Sequence, residues 1–119
     1  MLSRLSRRLG LTLVLLAALA ACRADRETQA ESFAAAREAQ PAGHALFLRH
    51  CAGCHGVAAG GGVGPRLLAN PRLGDGDYVL GVIAGGRRAM PAFGNVLTEE
   101  EIAATTRFVQ ALEAAGGPE

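Results

Sequence analysis

The pentapeptide Cys51-Ala52-Gly53-Cys54-His55 constrains this chain more than any other stretch. Residues i and i+3 share a face on a helical turn, so the two thiols can project to the same side. His55 follows at once, and its ring can swing beneath whatever the sulfurs hold. Three chemistries based on paired cysteines fit poorly. A zinc ribbon requires a second ligand pair, and the only other cysteine, Cys22, stands far upstream. A thioredoxin-like redox pair expects strand–turn–helix context, which the preceding residues do not give. A structural disulfide leaves His55 without a role. The order Cys-x-x-Cys-His is instead the attachment signal of a c-type haem. Each thiol then forms a thioether with one porphyrin vinyl group, and the histidine takes the iron.

Composition shows what such a group would contribute. The chain has 119 residues, room for one small domain. Half are apolar, but alanine dominates; there are four phenylalanines, one tyrosine and no tryptophan. Small domains with little large side-chain volume depend on a staple, and a covalently held haem supplies an apolar centre. All twelve basic residues are arginines, the formal charge is +1, and no basic cluster in the body forms a phosphate-binding stripe. Nucleic acid is excluded as a partner on these grounds.

The N-terminus reads as an export signal over residues 1–21. Arg4, Arg7 and Arg8 form a positive region, and Leu9 to Ala21 is an apolar run of thirteen residues, too short to span a bilayer. Leu19-Ala20-Ala21-Cys22 has the form of a lipobox, in which Cys22 is lipidated and becomes the first mature residue. Cleavage after Ala18-Leu19-Ala20 is the alternative, and it leaves Cys22 an unpaired thiol in an oxidising compartment. Several acyl chains together give stable anchoring. A mature chain starting at Cys22 has 98 residues and a formal charge of −2, from nine arginines and eleven acids.

Residues 22–40 are rich in Ala, Glu, Arg and Gln, with Phe33 the only large apolar side chain. The expectation is a flexible tether, at most transiently helical between Glu27 and Ala39. Phe33 docking on the domain is the competing expectation. The domain itself is expected over residues 41–115, with a tail at 116–119 and no internal repeat.

Pro41 suits a first helical turn, and Pro41 to about Ala52 reads as a helix. Gly43, Phe47, Cys51 and Cys54 recur at spacings of four, four and three, giving one inward stripe. Gly43 removes bulk where a second helix could cross closely. His44 and His50 fall off this stripe and are expected in solvent. The following glycine-rich stretch, residues 56–76, reads as loop. Gly60-Gly61-Gly62-Val63-Gly64-Pro65 lacks the Lys-Ser/Thr ending and the preceding strand of a phosphate cradle. Leu67, Leu68 and Leu73 call for burial, which argues against a disordered linker.

Asp75 or Asp77 is expected to cap a helix running to Ala84, stopped by Gly85-Gly86. Then comes Arg87-Arg88-Ala89-Met90-Pro91-Ala92-Phe93-Gly94. A lone methionine is usually core filler. Met90 lies between glycines and a proline, where a soft thioether can instead complete the iron's sixth position. Thr98 with Glu101 forms a capping box at the start of the clearest helix, Thr98 to about Ala115. Its inner face carries Ile102, Thr105, Val109 and Leu112, with Phe108 beside them.

In this order the residues resemble class I (monohaem) c-type cytochromes over about residues 41–114. The segment around Met90 is most similar to the cytochrome c6 type and to haem domains of cbb3-type oxidase subunits. The resemblance implies an all-α fold, its N- and C-terminal helices crossing around one covalently bound haem c. It implies His55 and Met90 as the iron's axial ligands, with the Pro65 carbonyl accepting the His55 ring N–H. No tryptophan is present to bind a haem propionate, so Arg66, Arg72, Tyr78 and Arg88 are the candidates. There is no lysine ring for docking; Arg87 and Arg88 lie near the expected haem edge.

The implied function is electron transfer rather than enzymatic catalysis. The protein would be a monomer anchored by lipid to the periplasmic side of a bacterial membrane, meeting redox protein partners transiently. Two alternatives stay open. One is a haem subunit fixed in an oxidase or dehydrogenase complex. The other is a haem peroxidase or gas sensor with a labile methionine.

Overall fold

The computed structural model describes residues 2–114 of the chain, with side chains over residues 8–113. Ala115 and the expected tail at 116–119 lie outside the described residues. The order is α1 (Leu2–Ala39), α2 (Pro41–His50), α3 (Ala52–His55), a 3₁₀ turn (Pro71–Gly74), α4 (Gly76–Gly85) and α5 (Glu99–Ala114). Among the described residues there is no strand, only an isolated antiparallel bridge between Arg87 and Met90. The all-α expectation stands.

The domain is built on α2 crossing α5. The capping box forms as the sequence implies: Glu101 N–H donates to Thr98 Oγ1 at 3.2 Å, and Thr98 N–H donates back to Glu101 Oε2 at 2.9 Å. Ile102, Thr105, Phe108, Val109 and Leu112 are all buried. Thr105 and Thr106 satisfy their hydroxyls within the helix, on the carbonyls of Glu101 and Ile102. Where α2 meets this face the residue is Gly43, and a Cβ there would collide with the Ala104 carbonyl and lie 2.7 Å from Phe108 Cβ. The crossing is therefore closer than any side chain at position 43 permits. Phe47 fills the space beside it, fully buried, with its ring 5.2 Å from that of Phe108.

α4 starts at Asp75, whose carboxylate accepts the Tyr78 N–H at 3.0 Å, and ends at Gly86. It buries Val79 and Ile83 beside Leu68 and Leu73 of the preceding loop. That loop is tied to α5 where Ala69 N–H donates to the Leu112 carbonyl at 2.9 Å. Leu68 and Leu73 are buried and Leu67 packs partly against the core, so the glycine-rich stretch is ordered by its leucines.

The structure corrects the reading of residues 22–40. They are helical through Ala39 and continuous with the N-terminal stretch, rather than a flexible tether. Ala, Glu, Arg and Gln are strong helix formers, and low hydrophobicity does not override that. The helix breaks only at Gln40, where the proline that follows disfavours helical backbone. Phe33 docks: its ring lies 6.1 Å from Phe108 and 5.7 Å from His44, edge-on to both, and Ala36 is buried beneath it. His44 is accordingly half-buried in an aromatic cluster, 5.3 Å from Phe108, and not in solvent. The α2 stripe missed it because α1 covers a second face of that helix.

Burial, with Arg37 of α1 nearby, holds the His44 pKa below its ordinary 6.5. The docked state thus favours neutral His44, and it loses stability as pH falls below about 6.5 and the undocked imidazole takes up its proton. Protection factors of residues 23–39, corrected for the intrinsic pH dependence of amide exchange, are expected to fall between pH 7.5 and 5, and His44→Gln is expected to flatten that dependence.

Candidate haem-binding site

Each residue of the pentapeptide is placed by the end of α2. Cys51 N–H donates to the Phe47 carbonyl at 2.8 Å, continuing the helical ladder, and His55 N–H donates to the Cys51 carbonyl at 3.0 Å. The motif is therefore a helical continuation, with Cys51 buried and Cys54 exposed. No disulfide joins the two cysteines. Burial, with a smaller contribution from Cys54, pushes the Cys51 thiol up to about 11. A reactive redox cysteine needs the opposite shift. Among the described residues no group of three or more His, Cys, Asp and Glu side chains converges as a metal cluster would.

His55 is buried, 8% exposed, and its Nδ1 lies 2.8 Å from the Pro65 carbonyl oxygen. A carbonyl only accepts, so Nδ1 carries the proton and Nε2 keeps its lone pair for a metal. The loop is shaped for this bond. Gly61 N–H donates to the His55 carbonyl at 2.7 Å and Gly64 N–H to the Cys54 carbonyl at 2.8 Å, folding the chain back over the motif. A Cβ at Gly64 would lie 3.0 Å from both Cε1 and Nδ1 of the imidazole, so the ring rests on bare backbone.

Met90 is half-buried and packs against the core cluster that contains Cys51, Leu68, Leu73, Val79 and Ile83. It ends a two-residue hairpin in which Arg87 and Met90 exchange both backbone hydrogen bonds, at 3.0 and 2.9 Å. Arg88 takes φ 56° at the tip, and Gly86 takes φ 72° at the base. A Cβ at Gly86 would meet the Met90 carbonyl oxygen at 2.7 Å. Beyond the hairpin, Phe93 and Gly94 donate to the carbonyls of Ile83 and Ala84 at 3.0 Å each, fastening the loop to the end of α4. The Phe93 ring stands 6.1 Å from His50, edge-on. His50 is half-buried through this contact, against the expectation of a solvated side chain, and it brings the methionine loop beside the residue preceding Cys51.

The propionate candidates separate. Arg66 donates its Nε–H to the Leu68 carbonyl at 2.9 Å, and Arg88 is exposed at the hairpin tip. Arg72 and Tyr78 line a cleft of about 300 Å³ with Pro71, Asp75 and Arg87. Arg87, which the sequence reading held only for docking, donates to the Tyr78 hydroxyl at 2.6 Å. The signal for it was the two-residue turn at Arg88-Ala89, which sends Arg87 back towards α4.

An imidazole with one free nitrogen, a thioether, two thiols and an aliphatic shell form a donor set that fits haem c. The helical fold and this site define a monohaem c-type cytochrome. The family model for cytochrome c oxidase, cbb3-type, subunit III matches residues 38–109, and the chain belongs to this family. A cytochrome c of this kind carries covalent haem c. Cbb3-type cytochrome c oxidase subunit FixP of Sinorhizobium medicae (strain WSM419) is 35% identical over 89 residues, covering 60% of this chain. Cytochrome c55X of Stutzerimonas stutzeri is 36% identical over 61 residues, covering 49% of it. The chain spans only 29% and 54% of the lengths of these relatives. No solved structure matches it.

Gly64→Ala is expected to push the His55 ring off its cradle and to destabilise the holoprotein by about 1–3 kcal/mol in denaturant titrations, the usual cost of overpacking. Gly60→Ala, whose Cβ meets nothing within 4 Å, is the matched control and is expected to leave the midpoint unmoved.

Proposed function

We propose that this chain is a one-electron carrier on the periplasmic side of a bacterial membrane. Residues 1–21 serve as export signal, Cys22 as the lipidated first residue and 22–40 as a helical arm. Residues 41–115 form the haem domain, and 116–119 a tail. The observation that carries the reading is the 2.8 Å bond from His55 Nδ1–H to the Pro65 carbonyl, which leaves the Nε2 lone pair free for a metal. When bound, haem c supplies one-electron chemistry, its iron alternating between ferrous and ferric states.

The protein's part is to ligate, shield and hold still. His55 and Met90 are the proposed axial ligands, and Cys51 and Cys54 the covalent anchors. With His55 and Met90 both bound, no coordination position would stay open, which speaks for a carrier and against an enzyme. Methionine opposite histidine favours the ferrous state and raises the potential. The buried Leu68, Leu73, Val79 and Ile83 act in the same direction by disfavouring the extra charge of the ferric state. The backbone fastening of the Met90 loop supports a retained ligand over the labile one that a peroxidase or gas sensor requires. Partners would be redox proteins meeting a monomer through a small transient interface.

A second reading is a haem subunit fixed in an oxidase or dehydrogenase complex. It draws on the family match and on the relative named as an oxidase subunit. Stoichiometric co-purification from membranes supports that reading, and recovery as a free lipoprotein supports the carrier. No described helix is long and apolar enough to cross a membrane.

Met90→Ala is expected to keep covalent haem but abolish the methionine-to-iron charge-transfer band and lower the midpoint potential; an unchanged potential would identify another ligand. Cys22 is exposed on α1. Cys22→Ser is expected to remove the acyl mass from the intact protein and release it from membranes on washing, while haem content stays the same.

A further inference from the structure

Every backbone tie that holds the Met90 hairpin runs to itself or to the last turn of α4. Arg87 and Met90 bond each other, and Phe93 and Gly94 bond Ile83 and Ala84. One side-chain tie reaches further. The Arg87 guanidinium donates through Nη1 to the Tyr78 hydroxyl at 2.6 Å and lies 6.0 Å from the centroid of that ring. Tyr78 belongs to the first turn of α4, where its own N–H is fixed by the Asp75 carboxylate at 3.0 Å. Arg87 therefore spans nearly the whole of α4 and ties the hairpin to the helix's opposite end.

The geometry makes this tie relevant to Met90. Arg87 is the hairpin residue paired directly with Met90, so a movement of one backbone carries the other. The hairpin base at Gly86 holds a positive φ, and the backbone of Met90, Pro91 and Ala92 closes tightly around it. Without the tie to Tyr78, the hairpin would be held by the backbone bonds at the C-terminal end of α4 and by the packing of Met90 and Phe93.

We propose that the Arg87–Tyr78 pair is a latch that sets how readily Met90 leaves the iron and admits another ligand. Both are positioning residues. The proposal rests on Met90 being the axial ligand, as read above. Its consequence is that one hydroxyl sets how fast the site admits a small ligand.

The test uses the ferric holoprotein and imidazole, a neutral ligand whose entry requires Met90 to depart. Tyr78→Phe keeps the ring and the net charge while removing the acceptor, so any change in rate is not electrostatic in origin. Imidazole is expected to bind about tenfold faster to it, the scale set by a lost hydrogen bond to a charged group. Arg87→Ala, which also removes the stacking, is expected to bind at least as fast. Both variants keep Cys51 and Cys54, so covalent haem should be retained even if a propionate contact is lost, with helical circular dichroism and, without imidazole, the methionine-to-iron band unchanged. A wild-type protein showing the band, with variants that bind imidazole at the wild-type rate, would overturn the latch alone. A wild-type protein without the band would overturn the ligand assignment and the latch with it.

Discussion

A single hydrogen bond, from His55 Nδ1–H to the Pro65 carbonyl, organises the haem-binding half of the molecule. It selects the tautomer, because a carbonyl accepts and cannot donate, and so decides which ring nitrogen is free. It also dictates the loop. To bring Pro65 within 2.8 Å of a ring ten residues earlier, the chain must fold back tightly over the motif. It does so with Gly61 and Gly64 bonded to the carbonyls of His55 and Cys54. Leu67, Leu68 and Ala69 then leave this turn in position to reach the core and the carbonyl of Leu112.

The other half depends on the crossing at Gly43. Close approach of α2 and α5 seats Phe47 against Phe108 and leaves Cys51 at the end of a helix already fixed in direction. The histidine side is thus held by a loop and the cysteine side by a helix crossing, and α3 joins the two. The methionine side is held by a third device, a hairpin fastened to the end of α4. Its approach to the motif is marked by the edge-on contact of Phe93 with His50.

Much of this was legible in the sequence because the determining signals are local. The capping box at Thr98, the Asp75 cap, the helix start at Pro41 and the inner face of α5 are each written within a few residues. The Pro65 contact came from a family resemblance, and no periodicity would have revealed it. What the sequence concealed was tertiary. His44 looked solvated because it was judged against one helix, and Phe33 docking was only the competing expectation, whereas α1, α2 and α5 half-bury the two together. Polar composition marked residues 22–40 as a flexible tether, at most transiently helical, though the same residues favour helix and dock through Phe33 and Ala36. Arg88 was preferred to Arg87 as a propionate candidate, and only the hairpin geometry tells the two arginines apart.

The supports of the two proposed axial residues share a property. The oxygen beneath His55 and the amides and carbonyls that fasten the Met90 loop are all main-chain atoms. Main-chain atoms are common to every amino acid, proline's missing N–H excepted. The surrounding side chains can therefore change polarity, size or charge while the ligating framework keeps its dimensions. The exceptions are Gly64 and Gly86, where added bulk meets the ring or the loop itself, and the proposed Arg87–Tyr78 latch. A scaffold of this kind separates holding from tuning: it lets the electronic environment of the metal be adjusted residue by residue without rebuilding what grips it.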